Sequence, residues 1–239
     1  MNKSVHKGHR RRMRQAVVEH GADSLNDHQI LEILLFQCFR NGDTNPLAHR
    51  LIDKFGTLKN VLNADYDELS SVEGMGESSA FFIGFIREVA KRYLKSSCFD
   101  NEKTKKFRNT DMLREYFESV FLGSEKEEVR ALVVDPELRL VAETKISDGT
   151  IGKVQISARS IANFVIKNNC DRVVIAHNHP RGACLPSKAD LIVTKELVEL
   201  LSELEIDLID HIIVGSNGSL SLRASNHSVG IWRAGREKV

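Results

Sequence analysis

Arg172-Val173-Val174-Ile175-Ala176-His177-Asn178-His179-Pro180 is the stretch that decides the reading of this chain. Four consecutive apolar residues, three of them β-branched, read as a strand buried on both faces, the kind found in a sheet covered by helices on each side. The C-terminal end of that strand delivers His177, and Pro180 biases His179 toward an extended backbone. Two histidines at i and i+2 of an extended segment project to one side, while Asn178 faces away. Gly182 and Pro186 mark a turn, and a helix is expected from about Lys188 to Leu204 with Ser187 and Asp190 at its start. Asp190 can then swing back toward the histidines. Two imidazoles and one carboxylate make a three-ligand site that suits zinc and leaves a fourth position for water.

Ser187 and Asp190 also have a plainer reading, because S-x-x-D ahead of an apolar helix is a capping arrangement. The histidine pair at the end of a buried strand, followed by a turn and a carboxylate, favours the metal. Cys184 lies inside the ligand loop and is a soft donor, but loop thiols are usually incidental. Zinc base deaminases use H-x-E with P-C-x-x-C, and this chain has neither. Water activated at such a site needs a base from another element, and Glu127 and Glu128 both precede the first strand of this half. Spacing alone does not choose between them. Asp210 and His211 adjoin in a later strand, so alternation sends them to opposite faces and at most one can approach the site.

Working outward, strands are expected at Val129 to Val134, Leu138 to Thr144, Val154 to Ser157 and Leu208 to Val214. Helices are expected from Thr110, as a cap, to about Phe121 and from Ala158 to Lys167. Residues 110–239 therefore read as an α/β domain. Residues 99–109 are polar and charge-dense and read as a linker. Residues 1–98 read as a small all-α domain, with Ile30, Ile33, Leu34, Leu47, Leu51, Ile52 and Phe55 at helical spacing. Within it, about 65–94, two helices joined by Glu73-Gly74-Met75-Gly76-Glu77 form a helix-hairpin-helix-like pattern. Such a turn can hold a nucleic-acid phosphate on its backbone N–H groups, although Glu73 and Glu77 oppose an anion here.

His177-x-His179-x7-Ser187-x2-Asp190 matches the JAMM (MPN-plus) metalloprotease signature. With Asp148-Gly149-Thr150 and Asp210-His211-Ile212-Ile213-Val214-Gly215, the setting resembles the bacterial RadC family. The N-terminal half is similar too, through Gly8-His9-Arg10, Phe55-Gly56 and Gly74-Met75-Gly76. The resemblance implies a JAMM fold, a cytidine-deaminase-like mixed sheet flanked by helices, in which His177, His179 and Asp190 bind Zn2+. It implies an acidic general base before the first strand, matched by Glu127 with Glu128 as the fallback, and a Ser187 that hydrogen-bonds the water or stabilises the oxyanion. Arg181 stands where the family usually has a small Ser. The implied activity is zinc-dependent hydrolysis of a peptide or isopeptide bond in a protein substrate. The alternative is a DNA-associated repair or recombination accessory protein whose metal site is structural or vestigial.

The 239 residues carry a formal net charge of +1, which by itself demands no nucleic-acid partner. The cations are nonetheless concentrated at the start, where Lys3, Lys7, Arg10, Arg11, Arg12 and Arg14 face no acid in the first fourteen residues. DNA contact, if made, is expected through Lys7, Arg10, Arg11, Arg12 and the Gly74–Gly76 hairpin. Four scattered cysteines without a C-x-x-C pair argue against a disulfide framework and a zinc ribbon. No apolar run reaches the roughly 18 residues of a membrane span, so a cytoplasmic protein without membrane contact is expected.

Overall fold

The computed structural model describes residues 8–99, 104–148, 158–228 and 230–232. They fall into two compact units, 1–90 and 91–239, divided inside one long helix. The expected strand at Val154 to Ser157, most of Asp148-Gly149-Thr150, and Lys3 and Lys7 lie outside the described residues.

The first unit is helical: α1 (His9–His20), α2 (Asp27–Leu35), α3 (Asn45–Phe55), α4 (Leu58–Asn63), α5 (Tyr66–Ser70) and the first part of α6 (Glu77–Ser97). Its core gathers Leu31 and Leu35 of α2, Leu47, Ala48 and Leu51 of α3, Val61, Leu69 and Ile83. Local chemistry fixes where these short helices begin. Asn26 and Gln29 form a reciprocal capping box on α2, Asp65 and Glu68 do so on α5, and the Thr57 side chain caps α4. Between α5 and α6, Gly74 takes φ +91°, a left-handed conformation that favours glycine. Arg50 of α3 donates from Nε to the Glu73 carbonyl, 3.1 Å away. This brings a cation to the hairpin turn that the local sequence does not show.

The second unit is α/β. It contains α7 (Thr110–Val120), β1 (Glu128–Val134), β2 (Leu140–Asp148), α8 (Ala158–Lys167), β3 (Arg172–His179), α9 (Lys188–Ser202), β4 (Asp207–Gly215) and β5 (Gly218–Ser221). The sheet order is β2-β1-β3-β4-β5, with β3 and β4 parallel and the other pairs antiparallel, so the expected mixed sheet flanked by helices is present. β1 and β3 are apolar on both faces. Val129, Ala131, Val133, Val173 and Ile175 pack with Ile161 and Val165 of α8 and Leu197, Val198 and Leu201 of α9. Leu132, Val134, Val174 and Ala176 pack with Leu113, Tyr116, Phe117 and Val120 of α7. The uninterrupted apolar run of β3 follows from this double cover.

Three expectations need correction. The α7 cap is Asn109, whose side chain accepts from Met112 N–H at 2.9 Å, and Thr110 is the first helical residue. β2 begins at Leu140 rather than Leu138, because Asp135 accepts from the N–H groups of Glu137 and Arg139 and closes a turn in which Leu138 has φ +62°. The stretch read as a polar linker buries both aromatics at its ends: Phe99 and Phe107 stack edge-on, 5.0 Å apart, and pack against Tyr116.

Candidate metal centre

β3 is the middle strand, and the C-terminal end of its parallel pairing with β4 is where a sheet of this kind opens a crevice. There His177 and His179 emerge on the α8 and α9 face, the side shared by Val173 and Ile175. Their Nε2 atoms lie 2.9 Å apart. Asn178 points the other way: its Oδ1 accepts from Glu128 N–H at 2.8 Å and its Nδ2 donates to the Lys126 carbonyl at 3.0 Å, stitching the start of β1 to β3.

Asp190 arrives from α9. The S-x-x-D motif forms the cap with one carboxylate oxygen and leaves the other toward the histidines. Oδ2 accepts from Ser187 N–H at 2.7 Å, and Ser187 Oγ accepts from Asp190 N–H at 3.2 Å, a reciprocal capping box. Oδ1 is buried without a hydrogen-bond partner and faces His177 Nε2 at 3.5 Å. Oδ2 is also 3.9 Å from His179 Nε2. A buried carboxylate oxygen with no donor is costly, and a cation removes that cost.

Residues and spacing fit zinc. Among the described residues, His177, His179 and Asp190 form a group whose ligand atoms lie within 4.8 Å of one another. A tetrahedral zinc with bonds of about 2.0–2.1 Å separates its ligands by about 3.3 Å, inside the observed spread. Nitrogen, nitrogen and carboxylate is also the donor set of open, catalytic zinc sites. Burial lowers the pKa of His177 to about 4, reinforced by His179 and opposed by Asp190, so this imidazole is neutral near pH 7 and offers a lone pair. Cys184 is not in the group; its backbone N–H donates to Asn217 Oδ1 at 2.9 Å.

Glu128 is the first residue of β1, and Glu127 immediately precedes it. Register pairs Val129 with His177 across β1 and β3, so alternation places Glu128 on the opposite face from the histidines. Glu128 is held there by Ser124 Oγ at 2.6 Å, Lys145 Nζ at 3.2 Å and Arg130 Nη2 at 3.5 Å. Burial alone would raise its pKa, but these partners together hold the carboxyl below its ordinary value. Ser187 is exposed at the N-cap of α9, beside Asp190.

Two features behind the ligands gave little sequence signal. His211 of β4 is fully buried, its Nε2 2.8 Å from His177 Nδ1 and its Nδ1 2.6 Å from Thr194 Oγ1 of α9. Asp210 takes the other face, as alternation requires, and accepts from Ser221 Oγ at 2.6 Å and Arg223 N–H at 3.1 Å. Gly215, at the end of β4, lies so close to the backbone of Gly182, Ala183 and Cys184 that a Cβ there would overlap it. Ser216 N–H donates to the Gly182 carbonyl at 2.8 Å, and Ala183 offers its carbonyl to His179 Nδ1 at 2.9 Å.

Of the cations named for DNA contact, Arg10 is engaged within its own unit. Its guanidinium donates to the carbonyls of Phe39, Arg40 and Gly42, at 2.5, 3.2 and 2.8 Å. No helix among the described residues is long and apolar enough to cross a membrane.

Comparison with known proteins places these elements in context. The family description "RadC-like JAB domain" matches residues 107–227, and "UPF0758 N-terminal" matches residues 6–81. A UPF0758 protein of Fusobacterium nucleatum subsp. nucleatum is 32% identical over 225 residues, spanning 92% of this chain and 97% of that protein.

Proposed function

The chain belongs to the RadC-like JAB domain family, and on that footing we propose that it is a zinc-dependent hydrolase of peptide or isopeptide bonds. The observation that carries this reading is Asp190 Oδ1, a buried oxygen without a hydrogen-bond partner that faces His177 Nε2 at 3.5 Å, the nitrogen 2.9 Å from His179 Nε2. His177, His179 and Asp190 would hold the metal. Bound there, zinc would supply Lewis acidity, making a water acidic enough to ionise near neutral pH and polarising a carbonyl.

The chain's own residues do the rest. Glu127, which immediately precedes β1, accepts the proton of the attacking water and returns it to the leaving nitrogen. Glu128 cannot share that task, because Ser124, Lys145 and Arg130 hold it on the far face. Ser187, beside Asp190, donates its hydroxyl hydrogen to the oxyanion that develops on the attacked carbonyl. Arg181 is exposed on the turn after His179, where it selects for acidic side chains in the substrate.

Wild-type protein and Glu127→Gln, each loaded with zinc, are to be compared on a library of linear peptides and isopeptide-linked proteins. Cleavage by wild type with a loss of about 100-fold or more in the variant is expected. Equal cleavage by both removes Glu127 from the base role. Intact substrates with zinc-loaded wild type throughout the library would sink the hydrolase reading.

A further inference from the structure

A neutral imidazole carries one proton, so a histidine that binds metal through Nε2 must keep that proton on Nδ1. At His179 the protein enforces this directly. Nδ1 meets the Ala183 carbonyl oxygen at 2.9 Å, and a carbonyl only accepts. At His177 the partner is ambiguous, because Nδ1 faces a second imidazole, Nε2 of His211, at 2.8 Å. Two neutral rings can share that bond in either sense. In one sense His177 keeps Nε2 bare; in the other its proton sits on Nε2, on the atom that faces Asp190 and His179.

The choice is made one residue further away. Thr194 Oγ1 lies 2.5 Å from the Asp190 carbonyl oxygen and 2.6 Å from His211 Nδ1. The hydroxyl has one hydrogen, and since the carbonyl can only accept, that hydrogen goes to Asp190. His211 Nδ1 must then donate to the Thr194 oxygen. His211 is fully buried and neither of its ring nitrogens meets a carboxylate, so the ring is neutral and this is its single proton. Its Nε2 is therefore bare and accepts from His177 Nδ1–H. The order of donors runs from His177 to His211 to Thr194 to the Asp190 carbonyl, and leaves the lone pair of His177 Nε2 in the site.

We propose that Thr194 and His211 are positioning residues that fix the tautomer of His177 and thereby set the affinity of the centre for zinc. The proposal rests on the reading of His177, His179 and Asp190 as metal ligands. The relay also closes on itself: its last acceptor is the main chain of Asp190, so the helix that supplies the carboxylate ligand also orients the first imidazole. Partners of this kind behind metal-bound histidines typically change affinity by about 10–100-fold when removed.

The test uses the full chain at pH 7, with zinc affinity measured by competition against a chromophoric chelator for wild type, Thr194→Ser and Thr194→Val. Serine keeps the hydroxyl and loses a methyl; valine keeps the branched volume and loses the hydroxyl. The relay predicts serine within about twofold of wild type and valine weaker by about 10–100-fold. A packing role predicts the reverse order, and that result, or equal affinities, overturns the proposal. Ring-nitrogen NMR of the metal-free wild type supplies a readout that needs neither a variant nor bound zinc. Nδ1–H on both His177 and His211 is expected, and a proton on Nε2 of either ring overturns the relay. If wild type fails to bind zinc while both rings carry Nδ1–H, the metal reading fails and the relay stands.

Discussion

Glu32 in the first unit and Asp190 in the second are both almost completely buried, and the two are treated differently. Glu32 of α2 has both oxygens engaged: Oε1 lies 2.9 Å from His9 Nε2, and Oε2 accepts from Asn45 Nδ2 at 3.1 Å. Asp190 has one oxygen bonded to the Ser187 N–H and the other without a donor. Glu32 ties α1 and α3 to α2 and is complete as it stands. Asp190 caps its helix with half of its carboxylate and keeps the other half facing His177 Nε2. A buried acid therefore points to chemistry only when its hydrogen-bond account is left open, and burial by itself does not distinguish the two.

The largest expected effect is on metal content. Asp190→Ala should abolish zinc binding in elemental analysis of purified protein, whereas Glu32→Gln should retain the wild-type zinc stoichiometry; zinc loss in the Glu32 variant would break the comparison. Next, Leu31→Ala in the fully buried core of the helical unit should cost about 2–5 kcal/mol of stability in denaturant unfolding while leaving zinc content unchanged.

A pH effect of similar or smaller size belongs to the α/β unit. His177 and His211 have folded pKa values depressed below 6.5 by burial, so the unfolded chain binds more protons and acid favours unfolding. Metal-free protein should lose a few kcal/mol of stability as the pH falls from about 6.5 toward about 4, the interval over which His177 contributes. The single tryptophan, Trp232, donates to the Leu208 carbonyl at 2.8 Å and reports on this unit by fluorescence. A melting temperature flat across that interval would remove the buried neutral histidines. The smallest effect is Asn26→Ala, which removes the α2 cap and should cost about 1 kcal/mol without touching zinc affinity.

The sequence made the candidate metal cluster legible because each of its residues sits in a local pattern: two histidines at strand spacing, and an acid at the third position of a capped helix. The same locality explains what was left open or unseen. Thr194 is an ordinary mid-helix residue until α9 lies over β4, and His211 is separated from His177 by 33 intervening positions and joined to it only through strand pairing. Glu127 and Glu128 are indistinguishable as letters, and only strand pairing shows that Glu128 faces away from the histidines. Phe99 and Phe107 went unseen for the opposite reason, since two aromatics among many charged neighbours read as a solvated stretch until Tyr116 comes alongside.

At Gly215 two pieces of main chain touch with no room for a side chain between them. That contact separates path from cargo in the segment 181–185. The course of the backbone, and with it the carbonyl of Ala183, is pinned to the end of β4, while Arg181, Ala183 and Leu185 carry their side chains outward into solvent. Those outward positions can be rewritten to suit a different ligand without re-aiming His179. Variation of these outward side chains is thus insulated from the geometry they border.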